Sequence, residues 1–459
     1  MRHGTTSRGM VTFSVIWFGQ LVSTLGSGLT GFALGVWVYQ QTHSVTLFAL
    51  NMLAQTLPNV LLAPIAGALA DRWDRRRVML LSDVGAGLST LAIALLFLSG
   101  RLEVWHVYIV TAVGAACTAF QWPAYSAATT MLVPKQQLGR AGGMVQIGEA
   151  MGQLISPALA GALFVTIGLG GVILVDFATF GFAVLTLLAI RIPRPTETAE
   201  GRAGRGSLWQ EAAYGWKYIA ARPGLLGLLL YFASVNFLGG MIGPLIQPMI
   251  LDMASPDVLG YVGSIMGVGM LFGTLVMSAW GGPQRRVYGV LGAGVVTGLF
   301  ITLVGVRPSI PLIAFGGFGA MFAVPIMNAS SQALWQSKVA ADVQGRVFAV
   351  RRMIAWSTSP IAILIAGPLA DNVFEPLLTV DGPLAGSVGQ LIGVGDGRGT
   401  GLLFILLGLL CAFTSLVAWL SPRLRNVEVE LPDAVSSEIP AGTVSPAGER
   451  APAPIVEAT

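Results

Sequence analysis

The stretch Gly67-Ala-Leu-Ala-Asp71-Arg72-Trp73-Asp74-Arg75-Arg76-Arg77 packs two acids and four arginines into a tight link between two long apolar segments. Asp71 falls where a helix over residues 45 to 70 ends. That end of a helix carries partial negative charge, so the carboxylate needs a positive partner. The cationic loop supplies candidates, and a loop of this charge is retained on the cytoplasmic side of a membrane.

The rest of the chain agrees with a membrane setting. It is 54% hydrophobic and only 10% charged, with mean hydropathy +0.74 and 59 glycines in 459 residues. A soluble core of this size needs a far larger charged surface, whereas glycine is well tolerated where helices pack closely in lipid. Twelve apolar stretches reach the roughly 20 residues that cross a bilayer. They lie near 11–39, 45–70, 78–99, 104–131, 141–166, 168–190, 225–250, 258–280, 287–306, 309–337, 347–370 and 400–420. With the chain starting inside, 23 of the 26 basic residues fall on cytoplasmic segments, leaving Arg101, Arg307 and Arg398 outside. Both termini are therefore expected in the cytoplasm. The first apolar run lacks a cleavage site and reads as a retained span, not a signal peptide. Cys117 and Cys411 lie within spans and imply no disulfide framework. The net charge of +4 follows from the topology and gives no reason to invoke nucleic acid. The basic residues are nearly all arginine, which suggests a GC-rich bacterial genome and hence a bacterial inner membrane.

The expected fold class is an all-α integral membrane protein, with twelve transmembrane helices in two pseudo-symmetric six-helix bundles. The bundles cover 1–190 and 225–421, joined by a cytoplasmic linker at 191–224. In the linker, Ser207 and Gln210 have capping-box spacing, and Trp209, Ala213, Trp216 and Ala220 share one helical face. Residues 422–459 are rich in proline, alanine and acids and read as a disordered tail. Leu138-Gly139-Arg140 is echoed by Gln344-Gly345-Arg346, and the opening loop by Gly281-Gly-Pro-Gln-Arg-Arg-Val287, without its acids. The outside loop 371–399 carries Asp371, Glu375, Asp381 and Asp396, with no function legible from its residues.

Twelve spans, the six-plus-six division and Gly67-x-x-x-Asp71-Arg72-x-Asp74-Arg75-Arg76 together resemble the major facilitator superfamily. The resemblance implies that Asp71 docks on the cytoplasmic start of span eleven, near Arg346 and Arg351, and holds an inner gate shut. Gly148, Gly152, Ser156 and Ala160, with Pro157 and Gly161, resemble the glycine-proline signature of drug-exporting antiporters, departing from it at Ser156 and Ala160. Gln344–Met353, with Ser359-Pro360 and Ala366-Gly-Pro-Leu-Ala-Asp371, resembles the branch containing macrolide efflux proteins and the enterobactin exporter. The fourth span lacks the arginine that better-known drug antiporters use in proton coupling.

Proton coupling must then rest on intramembrane acids, which are disfavoured unless paired, protonated or wet. Glu149, Asp83 and Asp176 are the candidates. Glu149 shares a polar stripe with Gln146, Gln153 and Ser156; Asp83 lies near enough to the arginine loop to form a gate ion pair; Asp176 near its span's outer end reads as an anchor. If the family plan holds, spans one, four, seven and ten line the substrate cavity. The polar and aromatic faces there comprise Gln20 and Thr24, Gln121 and Tyr125, Tyr231, and Asn328, Gln332 and Trp335, with Gln153 from span five. Aromatics and neutral amides suit a bulky amphiphile better than a small anion. There is no phosphate-cradling loop, no catalytic constellation and no metal-ligand cluster, so neither an enzyme nor a cofactor is expected. The reading is a monomeric secondary transporter exporting an organic compound by alternating access, with proton antiport. An importer or facilitator of the same fold is the alternative.

Overall fold

The computed structural model describes residues 3–133, 137–190, 208–339 and 344–431. Long helices account for nearly all of it. The amino-terminal half contains α1 (His3–Thr42), α2 (Val45–Arg72), α3 (Arg75–Leu98), α4 (Val104–Leu132) and α5 (Leu138–Ala189). After the linker helix α6 (Leu208–Ala220), the carboxy-terminal half contains α7 (Pro223–Leu251), α8 (Pro256–Trp280) and α9 (Arg286–Val306). It continues with α10 (Ile310–Lys338), α11 (Gln344–Leu369) and α12 (Arg398–Leu420).

Eleven helices among the described residues are long and apolar enough to cross a membrane, against the twelve expected. The difference lies in α5, a run of 52 residues broken at Gly168, whose φ of 68° only glycine adopts without strain. Trp17 and Thr24 of α1 meet Gly148 and Gly152 in ascending order, whereas Gly19 and Gly26 meet Thr186 and Thr179 in descending order. The two parts of α5 therefore run in opposite directions beside α1. With no loop between them, they register as a single helix.

Lipid is as apolar as a leucine side chain, so these helices associate through close fit and not through exclusion of water. Gly298 of α9 and Gly408 of α12 accordingly lie against each other's backbones. Each half has its own core at the end bearing the termini. One contains Phe13, Ile16, Met79, Tyr125 and Leu187; the other contains Leu225, Leu228, Val290, Trp335 and Val427. Neither cluster draws a buried residue from the opposite half. At the other end, which carries the 43–44 turn and the 370–397 loop, one cluster unites both halves: Val36, Tyr39 and Phe48 pack with Met241, Leu245, Met249 and Phe404.

Two segments depart from expectation. Residues 422–431, expected in a disordered tail, form two short helices in which Val427 is fully buried. Glu428 there accepts the backbone N–H groups of Arg286 and Val287 at 2.9 and 3.1 Å. It caps α9 with the acid that the Gly281–Val287 echo lacks. In the linker, α6 buries Gly215 and Ile219 and turns Ala213, Trp216 and Ala220 outward. The capping pair Ser207 and Gln210, and Trp209, lie outside the residues described in full, as does the tail from 432 onward.

Candidate functional site

The amino-terminal half buries an acid between two amides. Asp83, about 12 Å along α3 at 1.5 Å per residue, is 1% exposed. Gln20 of α1 donates to its Oδ2 at 3.1 Å, and Gln121 of α4 donates to its Oδ1 at 2.5 Å. Gln121 also donates to the Gln20 carbonyl oxygen at 2.6 Å, closing a triangle across three helices. The loop arginine nearest in sequence among those with described contacts points elsewhere: Arg76 donates to the carbonyls of Leu187 and Leu188, where the end of α5 favours a cation. Asp74 caps α3 by accepting the N–H groups of Arg76 and Arg77. The described partners of Asp83 are thus two residues expected in the cavity.

The carboxy-terminal half presents the opposite charge. Arg351, roughly 10 Å along α11, donates to Gln332 Oε1 and Ser331 Oγ of α10, each at 3.0 Å. Its guanidinium lies 5.1 Å from the Trp335 ring and 5.9 Å from the Phe232 ring. Neither hydrogen bond is to an acid, so a cation rests on two neutral acceptors and two aromatic faces. The residue expected at the gate therefore lies among α7, α10 and α11. Ser331 and Phe232 were missed because a residue's neighbours across helices leave no mark in its own periodicity.

The other candidates divide. Thr24 and Asn328 are exposed, while Tyr125 and Trp335 are buried in the cores of their own halves. Tyr231 is also buried, with its hydroxyl 3.0 Å from Ser415 Oγ of α12. Asp176, 1% exposed, accepts from Thr90 and Thr179. Gly67 and the side chains of Asp71, Arg72, Arg346, Glu149 and Gln153 lie outside the described residues. Arg75 is the first residue of α3. Among the described residues, no group of three His, Cys, Asp or Glu side chains could hold a metal ion.

The halves are closed against each other at the loop end. The small-residue stripe splits between two neighbours: Gly148, Gly152 and Ser156 face α1, whereas Pro157 and Gly161 face α8. Gly260 abuts the Pro157 backbone and Gly161 abuts that of Pro256, leaving no room for a Cβ at either glycine. Ser264 Oγ adds a bond to the Leu154 carbonyl at 2.7 Å. On the opposite flank, Tyr39 donates to Asp252 at 2.6 Å, and Asp371 binds the start of α2. Within the 371–399 loop, Glu375 caps α12 through the backbone N–H and hydroxyl of Thr400.

Comparisons with known proteins agree with this architecture. The Major Facilitator Superfamily model matches residues 16–371. Macrolide efflux protein A of Streptococcus pyogenes is 28% identical over 367 residues, covering 79% of this chain and 90% of that protein. The multidrug efflux pump Tap of Mycolicibacterium fortuitum is 27% identical over 382 residues, covering 80% and 90%. Among solved structures, a bacterial homologue of the human lysosomal transporter Spinster, inward-facing and unoccupied, superposes with a TM-score of 0.67. It shares 13% identity over 90% of this chain and 97% of its own, and so bears on the fold alone. With its many apolar helices, its two packed halves and the family match over most of its length, this chain belongs to the major facilitator superfamily of multi-pass membrane transporters.

Proposed function

We propose that the protein is a secondary active exporter that moves a bulky amphiphilic organic compound out of the cell in exchange for protons. The observation that carries this reading is Asp83, a buried carboxylate held by two neutral glutamines and open to neutralisation by whatever enters beside it. An ionised carboxylate in such surroundings is costly unless a proton or a cationic ligand compensates it. Proton and substrate therefore compete for one site.

Among the described residues, one core cluster joins the halves at the loop end, while those at the end bearing the termini stay separate, which we read as parted. With the arginine-rich loops inside, this conformer is inward-facing. In this state Asp83 releases its proton to the cytoplasm and a substrate cation takes its place against Gln20 and Gln121, while the aromatic surface around Arg351 accommodates the ligand's apolar and acceptor groups. The loaded halves then rock. The loop end opens, the outside proton concentration returns a proton to Asp83, and the substrate leaves. Asp71 holds the inner gate shut in that outward state, against the start of α11. The relatives named for macrolide and multidrug efflux support this direction and ligand class.

The energetics are sufficient. One charge crossing 100 mV yields about 2.3 kcal/mol, and one pH unit adds about 1.4 kcal/mol. A monocationic substrate leaving for one entering proton moves no net charge, so the pH gradient alone drives the exchange, and each pH unit supports about tenfold accumulation. The test is uphill transport in proteoliposomes, screened across macrolides, siderophores and lipophilic cations, with a trapped pH dye. Accumulation that dissipates an imposed pH gradient is expected for at least one class. Flux with no linked proton movement contradicts the exchange.

A further inference from the structure

We propose that Asp371 is a latch on the outer side whose closure opposes the inner gate at Asp71, so that the two acids set the balance between the inward- and outward-facing conformers. The proposal rests on the alternating-access reading above. It begins from a repeat: Ala66-Gly-Ala-Leu-Ala-Asp71 and Ala366-Gly-Pro-Leu-Ala-Asp371 differ at one position in six. The first ends α2 and the second ends α11. These helices lie side by side and antiparallel, since the last turn of α11 meets the first turn of α2: Gly367 packs on the Thr46 backbone with no space for a Cβ. Each acid is therefore carried to the level of the other helix's N-terminus.

At the loop end the consequence is visible. Asp371 Oδ1 accepts Val45 N–H at 3.0 Å, and its Oδ2 accepts Thr46 N–H at 2.8 Å and the Ser44 hydroxyl at 2.7 Å. Ser44 Oγ in turn accepts Leu47 N–H at 3.3 Å. The first three N–H groups of α2, which have no partner within the helix, are all satisfied, two of them by a residue of the other half. Asp371 lies within a helical run that continues to Leu377, and the N-terminus of α2 beside it offers its charge a favourable potential. The π turn Ala370–Phe374 widens the helical run at Asp371 before it continues through Glu375–Leu377. When the loop end opens, Val45 and Thr46 lose both acceptors to water.

The test reads conformer populations without substrate or gradient, on the full chain in nanodiscs. Spin labels at Arg101 and Val380, in a background with Cys117→Ala and Cys411→Ala, report the loop-end distance. Asp371→Ala should raise the open-to-closed ratio roughly tenfold, the scale of losing a cap to a charged acceptor. Ser44→Ala should raise it less. Asp71→Ala should lower it, and the double variant should return toward the parent. An unchanged distribution for both Asp371→Ala and Ser44→Ala overturns the latch, and Ser44→Ala decides alone if Asp371→Ala does not fold. A shift in Asp371→Ala with no proton-linked flux in the parent leaves the latch standing and removes the exporter reading. Flux without the shift does the reverse.

Discussion

The two halves, alike in plan, differ in the charged side chain that each sets among neutral partners. The amino-terminal half holds an acid, Asp83, between two amides; the carboxy-terminal half holds a base, Arg351, between an amide, a hydroxyl and two aromatic rings. The same contrast governs the ends of the helices. Asp74 caps α3 from within its own loop, whereas the corresponding loop before α9 has no acid and receives Glu428 from the chain's end. A repeated scaffold thus carries unequal chemistry. In the proposed cycle the acidic half exchanges the proton and the basic half orients the ligand.

Removing the acid should break this contrast most severely. Asp83→Asn keeps the size but cannot titrate, and it can accept from only one of Gln20 and Gln121, so pH-driven accumulation should fall at least a hundredfold while passive substrate exchange persists. Uphill transport at wild-type rates from well-inserted Asp83→Asn protein removes the residue from coupling.

Next in size is the seam on which both halves close. Gly260→Val places a branched side chain against the Pro157 backbone and should favour the form open at the loop end, reducing flux about tenfold, because overpacked contacts typically cost 1–3 kcal/mol. Cysteine labelling at that end from the outside measures the shift directly.

Altering the base sharpens the comparison from the other side. Arg351→Gln should raise the half-saturating substrate concentration roughly tenfold, the scale of one charge-assisted hydrogen bond, and leave the number of protons per substrate unchanged. A changed stoichiometry would move Arg351 from ligand orientation into coupling.

How far the sequence foretells these contacts depends on their range. Crossings are legible because each must be about 20 apolar residues long, yet the break at Gly168 is not, since a single glycine reverses the chain inside one unbroken apolar run. Asp83 reads as a neighbour of the arginine loop because both lie near the start of α3; the fold rotates it toward α1 and α4 instead. Tyr231 and Trp335 have the spacing of a polar-aromatic stripe, which cannot say whether the stripe faces a cavity or another helix. Asp371 offers no local clue, as its partners are more than 320 residues away in the chain.

The smallest expected effect is a pH dependence at the loop end. Asp252 accepts the Tyr39 hydroxyl and is partly desolvated beside it, with Glu375 and Asp396 adding repulsion and His43 partly offsetting it. Burial, the largest cause, holds its carboxyl above the ordinary range. A group whose pKa is higher when closed than when solvated binds protons more tightly in the closed form, so acid favours closure. The closed fraction should rise as pH falls through that raised value, by a few-fold at most. Asp252→Asn should abolish the dependence.

The most direct test of the central claim needs no membrane. Purified protein in weakly buffered detergent, held slightly acidic with a pH dye, is mixed with a macrolide bearing a protonated amine or with a lipophilic cation that the wild type transports. The account predicts release of about one proton per bound ligand, and none from Asp83→Asn under the same conditions. Binding of the same ligand without proton release, or equal release from both proteins, would contradict a carboxylate shared by substrate and proton.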